Sequence, residues 1–262
     1  MGASSEGMFL GIDDHIQLSL SECHPIFKNR SAPLFAVDSR DRPELIATCV
    51  AISYGRRAFL LTAAHAIYDI RQLGSSVYVG GEEIQLVPSE FHLSSPDGND
   101  PFDIAAAEVP SEFILDNGIE MVGESETTAG RNFSSPHLHC MHGYPATKNK
   151  PIKSVNVARK TVTTYGFSYA GTLVKEPDFR MEGRSAATHV ALSYQLGKND
   201  EGTKVNPPKP QGMSGGGLWV VPESFNPSYV LLGGILIEHR NGVVLATKMG
   251  PVSEFLSQML NK

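Results

Sequence analysis

Short apolar runs recur along the chain, broken by glycine, proline and Asp/Asn-rich stretches. Residues 33–37 and 46–52 read as strands, separated by the polar cluster 38–43. Tyr54-Gly55-Arg56-Arg57 closes a hairpin whose return strand covers 58–62. Residues 76–79 and 83–87 flank the tight-turn signal Gly80-Gly81. A further run begins after Asp103. Residues 110–131 read as a linker with turns at Gly118, Gly123 and Gly130. A second strand series follows at 137–142, 155–158, 160–165, 187–194, 229–237 and 242–247. Only residues 251–260 carry apolar positions at helical spacing, with Pro251 in the first turn. Near the amino terminus Ile16, Leu18 and Leu20 alternate with polar residues, which suggests a short strand or an irregular arm over residues 1–30. The pattern is that of an all-β chain with a carboxy-terminal helix.

Composition sharpens this picture. At 262 residues the chain can bury a sizeable core, as one large domain or two small ones. It is 41% hydrophobic and 19% charged, ordinary for a globular protein. Twenty-five glycines and seventeen prolines favour the many turns of an all-β fold. A formal net charge of −6 with no basic stripe argues against nucleic-acid binding. Cys23, Cys49 and Cys140 are too few for a disulfide framework; Cys49 and Cys140 fall in apolar strands and read as core residues. No stretch reaches the ~20 apolar residues of a membrane span, and residues 1–12 lack the basic and apolar regions of a signal segment. A reduced, cytoplasmic setting without membrane attachment is expected.

Pro210-Gln211-Gly212-Met213-Ser214-Gly215-Gly216-Gly217 is the stretch around which chemistry can be organised. Glycines there permit a sharp turn and close approach of a substrate. A serine on such a turn exposes its hydroxyl and its own N–H. A serine hydroxyl is a weak nucleophile and needs a base, which in turn needs an orienting carboxylate. His65 ends the apolar run 58–64. Asp103 leads directly into the run 104–109, whereas Asp69 follows His65 too soon and Asp100 lies beside the loop proline. The order along the chain is therefore His, Asp, Ser.

Thr62-Ala63-Ala64-His65, Asp103-Ile104-Ala105 and Gly212-Met213-Ser214-Gly215-Gly216 resemble the three signature blocks of the trypsin-like, chymotrypsin-fold serine proteases. The resemblance spans most of the chain. It implies two six-stranded antiparallel β-barrels, over about 31–125 and 130–250, with a terminal helix at 251–261. It also implies a catalytic triad of His65, Asp103 and Ser214, with an oxyanion hole from the N–H groups of Gly212 and Ser214. Two departures stand out. Secreted trypsins carry a cysteine just after the histidine, where this chain has Ala66. They carry an aspartate at the position of Met213, which pairs with a new amino terminus after zymogen cleavage. These departures are most similar to bacterial stand-alone trypsin-like domains and imply competence without amino-terminal processing.

The family's primary specificity pocket maps here onto Pro208, Gln211, Ile237, Glu238 and His239. No aspartate stands where trypsins select basic residues, so an apolar or small side chain is expected. His137, His139, Cys140 and His142 form a tempting metal cluster. On a strand, however, the first two share one face and the last two the other. The acidic loop at Asp97, Asn99 and Asp100 lacks the spaced ligands of a calcium site. No metal or cofactor is expected. The resulting expectation is a serine endopeptidase acting on polypeptide substrates. The alternative is a protease-fold binding module assembled by a regulatory protein partner.

Overall fold

The computed structural model describes residues 12–37, 42–80, 83–95, 100–131, 137–149, 163–174, 183–195, 197–198, 203–221 and 229–261. The strand expected at 155–158 and the first half of that expected at 160–165 lie outside these residues, as do Asp97 and Asn99; the described residues 163–165 are not strand.

A helix, α1 (Ile12–Asn29), precedes β1 (Ser31–Val37), β2 (Pro43–Tyr54) and β3 (Arg57–Ala63). After α2 (Ala64–Gln72) come β4 (Tyr78–Gly80), β5 (Ile84–Leu86), β6 (His92–Leu93) and β7 (Ile104–Val109). Helix α3 (Ser111–Asp116) and the short β8 (Val122–Gly123) follow. Among the described residues these strands form one sheet in the order β5-β4-β1-β2-β3-β7-β6, with β8 parallel to β2. The second half comprises β9 (Leu138–Gly143), β10 (Phe167–Gly171), β11 (His189–Ser193), the short pair β12 (Gly197–Lys198) and β13 (Lys204–Val205), β14 (Gly217–Val221), β15 (Leu231–Arg240), β16 (Val243–Lys248) and α4 (Met249–Leu260). Its six-stranded antiparallel sheet runs β10-β9-β14-β15-β16-β11. The architecture is the chymotrypsin-like one of two packed β-units and a carboxy-terminal helix.

The continuous apolar runs are explained by burial on both faces. In β2 and β3, Ala47, Cys49, Ala51, Ala58 and Leu60 point into the first unit. The alternate residues Val50, Ile52, Phe59 and Leu61 point outward, onto Trp219, Val221, Leu232 and Ile235 of the second sheet. Met249, Val252 and Leu256 of α4 close that layer. The second unit has its own interior, with Met141, Leu192, Met213, Leu218 and Leu236.

Two further stretches differ from the sequence expectation. Residues 12–29 are a helix, not a strand or irregular arm. Its buried positions Ser19, Cys23 and Phe27 recur every four residues, while Leu18 is exposed. The apparent alternation at 16, 18 and 20 mixed both faces of that helix. Phe27 stacks on Trp219 with ring centres 5.1 Å apart. The supposed linker at 110–131 contains α3 and β8 and buries Ile114, Ile119 and Val122 against the first unit and the layer between the units.

Candidate active site

His65 lies in the first turn of α2, where backbone N–H groups lack helical partners. Asp103 supplies them. The Ala64 N–H donates to the Asp103 carbonyl at 3.0 Å, and the His65 N–H donates to Asp103 Oδ1 at 2.8 Å. The second carboxylate oxygen, Oδ2, lies 2.6 Å from His65 Nδ1. Because a carboxylate only accepts, Nδ1 carries the proton, and in the neutral ring Nε2 is the free acceptor. Asp103 reaches this position with φ +53, a left-handed conformation that aspartate tolerates better than most residues. Burial alone pulls the His65 imidazolium pKa down. The Asp103 hydrogen bond and charge, joined by Asp69 and Glu238, outweigh it and leave the pKa above the usual 6.5.

Ser214 sits on a turn built by main-chain bonds. Met213 N–H donates to Pro210 O at 2.8 Å, Gly216 N–H to Met213 O at 2.9 Å, and Gly215 N–H to Leu236 O at 2.7 Å. Gly215 has φ +83, and a Cβ there would fall 2.0 Å from Thr62 Oγ1 and 2.2 Å from the Thr48 carbonyl. Only glycine fits that approach between the two units.

Thr48, in β2, ties this turn to the first unit. Its N–H donates to the Ser214 carbonyl at 2.9 Å. Its hydroxyl donates to the Gly212 carbonyl at 2.8 Å and accepts from the Tyr144 N–H at 2.9 Å. The Thr48 carbonyl accepts the Thr62 hydroxyl at 2.7 Å. Meanwhile the Gln211 carbonyl accepts the Ala146 N–H at 2.7 Å. In a trans peptide C=O and N–H point oppositely, so the Gly212 N–H faces away from Ala146. Among the described residues neither the Gly212 N–H nor the Ser214 N–H has an acceptor. Met213 is buried in the second unit's interior. Sequence reasoning missed Thr48. The available signal was a hydroxyl residue inside the apolar run 46–52, a place where a polar group needs a partner.

Ser214 lines a small cleft together with Met141, Pro210, Met213, Leu236 and Val244, and with Ile237, Glu238 and His239 at the end of β15. The cleft therefore joins Ser214 to three of the expected pocket residues. Pro208 and Gln211 do not line it. Their carbonyls instead accept the Tyr194 hydroxyl (2.7 Å) and the Ala146 N–H. Glu238 links the cleft electrostatically to His65. No hydrogen bond joins His65 Nε2 to Ser214 Oγ among the described residues. Such bonds are often long in free enzymes and tighten on substrate binding. An imidazole with a carboxylate on one nitrogen and a free acceptor on the other can take a hydroxyl proton. Two unpaired N–H groups beside a serine can hold a developing oxyanion.

The histidine cluster is split between faces. Cys140 and His142 are fully buried, and His142 Nδ1 lies 2.8 Å from the Ser168 hydroxyl, which also meets His24 Nδ1 at 2.8 Å. Burial pushes the His142 imidazolium down to about 3, so the ring is neutral. Among the described residues no three His, Cys, Asp or Glu side chains are grouped to hold a metal. The three cysteines are buried free thiols, Cys23 pushed up to about 11 and Cys49 to about 12 by burial. Among the described residues no helix is long and apolar enough to cross a membrane.

No family model and no curated protein matches the chain. Among the solved structures similar to it are two from Sesbania mosaic virus. One is the serine protease domain of the Sesbania mosaic virus polyprotein, 14% identical, covering 86% of this chain and 91% of that one, with TM-score 0.48. The other concerns coupled folding and binding of the intrinsically disordered VPg protein of Sesbania mosaic virus through aromatic interactions. It is 16% identical, covers 86% of this chain and 89% of that one, and has TM-score 0.46. Both of these structures are viral.

Proposed function

We propose that the chain is a serine endopeptidase that cleaves polypeptides through an acyl-enzyme. The observation that carries this reading is the Asp103–His65 pair at 2.6 Å, set across the unit interface from a serine on a glycine turn. Ser214 Oγ attacks the scissile carbonyl, forming the C–O bond, while His65 Nε2 takes the hydroxyl proton. Asp103 holds the ring and stabilises the imidazolium. The Gly212 and Ser214 N–H groups receive the oxyanion. Collapse breaks the C–N bond as His65 returns the proton to the leaving amine. Water then repeats the cycle in reverse to free the acid. The apolar floor formed by Met141, Met213, Leu236 and Val244 suits an uncharged apolar residue on the acyl side of the scissile bond. Thr48 and the buried Met213 hold the oxyanion turn, so no new amino terminus is needed.

The test is labelling of the intact protein with a fluorophosphonate, followed by cleavage of a peptide library. Labelling at Ser214, lost in Ser214→Ala, together with peptide turnover supports the reading. Labelling without peptide cleavage points to an esterase or acyl transferase. No labelling of correctly folded protein overturns the reading in favour of a partner-assembled binding module.

A further inference from the structure

The cleft contains one carboxylate, Glu238, and that carboxylate is not free. Arg184 forms an ion pair with it through Nη1. The arginine side chain is only 8% exposed and the glutamate 35%, so the cation lies beneath and the carboxylate faces the cleft. Arg184 Nε also donates to the Pro101 carbonyl at 3.3 Å. Its setting is built from several sides. Gly183, at φ +86, presses on Pro101, where a Cβ would come within 2.9 Å of the ring. His189 Nε2 lies 2.8 Å from the same Pro101 carbonyl, and since a carbonyl only accepts, that nitrogen carries the proton. Thr247 donates its hydroxyl to Phe102 O at 2.6 Å. The second unit thus grips the residues just before Asp103 and places a buried cation under the cleft's carboxylate.

We propose that Arg184 is a specificity-determining residue that masks Glu238, keeping the substrate cleft electrically neutral. Without the mask, Glu238 would offer a partly buried negative charge to an incoming side chain and favour lysine or arginine on the acyl side. Removing one partner of a buried pair leaves the other charge uncompensated, which changes its surroundings strongly. The same charge acts on His65, whose imidazolium is already favoured by Asp103, Asp69 and Glu238. Masking therefore also limits how far the proposed base is held protonated. The specificity part of this inference rests on the proposed endopeptidase activity; the charge masking does not.

The test uses Arg184→Met, Glu238→Gln and the double variant, each in the full chain. Two quantities are read: the ratio of kcat/KM for matched peptides with lysine or leucine on the acyl side, and the His65 pKa by NMR titration. Arg184→Met should raise the lysine-to-leucine ratio about tenfold or more and raise the His65 pKa. Glu238→Gln should lower that pKa, and the double variant should return the ratio to the parent value. An unchanged ratio in an active Arg184→Met variant overturns the proposal. If the parent protein takes no fluorophosphonate and cleaves nothing, the endopeptidase reading fails and the NMR titration decides masking alone. A His65 pKa that moves neither in Arg184→Met nor in Glu238→Gln refutes it. Should Arg184→Met not fold, Glu238→Gln and the double variant still give the comparison.

Discussion

Replacing Thr48 by valine keeps the side chain's shape and removes one hydroxyl. That hydroxyl has two partners, the Gly212 carbonyl at 2.8 Å and the Tyr144 N–H at 2.9 Å. Tyr144 is 3% exposed, so water does not replace the lost acceptor. Leaving a buried polar group unsatisfied costs about 1–3 kcal/mol, and two are orphaned here. The methyl gained in place of the hydroxyl offsets about 0.8 kcal/mol. The net expected loss is about 1–5 kcal/mol, concentrated on the segment that carries the Gly212 N–H. If that cost falls on the proposed oxyanion turn, acylation of Ser214 slows by roughly sevenfold to several thousandfold, since each 1.4 kcal/mol is tenfold. Thr48→Ser keeps the hydroxyl and loses a methyl, so it should remain within about tenfold of the parent rate. The assay is single-turnover acylation by a fluorophosphonate, with thermal unfolding measured in parallel. Should Thr48→Val unfold earlier yet acylate at the parent rate, the hydroxyl supports the fold but does not hold the turn. Equal impairment of Thr48→Ser and Thr48→Val would likewise refute the hydrogen-bond account.

Ser214→Ala, His65→Ala and Asp103→Asn should each lower peptide hydrolysis by several powers of ten, and combining Ser214→Ala with His65→Ala should add little, because such groups act as a unit; near-parental turnover in Ser214→Ala would exclude it as the nucleophile. On the proposed reading His65 is the base and must be neutral to act; its pKa is raised, so acylation should fall as pH drops through a midpoint above 6.5, and Asp103→Asn should move that midpoint down. By linkage, the His65 contribution to stability is fully present below the unfolded-state pKa near 6.5 and is lost as pH rises through the higher folded value; a flat stability profile across that window would count against the pair. Active-site titration of protein whose unprocessed terminus is verified by mass spectrometry should give full labelling. Labelling that appears only after an amino-terminal cut would mean that buried Met213 and Thr48 do not hold the turn.

The sequence by itself determined much of the local structure. The apolar runs at 46–52 and 58–62 with their Tyr54–Arg57 turn became β2 and β3, and the helical spacing at 251–260 became most of α4. The glycines around Ser214 were legible as a tight turn because their conformational freedom is a local property. His65 and Asp103 could be selected because each borders an apolar strand. What only the tertiary structure decided depends on which distant groups meet. Thr48 and Gly212 are 164 positions apart, and no spacing rule joins a hydroxyl in one unit to a carbonyl in the other. Arg184 and Glu238 are 54 positions apart, and their pairing turns a nominally acidic cleft into a neutral one. The helix at 12–29 was hidden for a related reason. Its buried face includes the polar Ser19 and the small Cys23 and is completed by Trp219 of the second unit, so few strongly apolar residues mark that face in the sequence. Periodicity reports what a segment can bury, whereas the fold determines which surface buries it and which polar groups must then find one another.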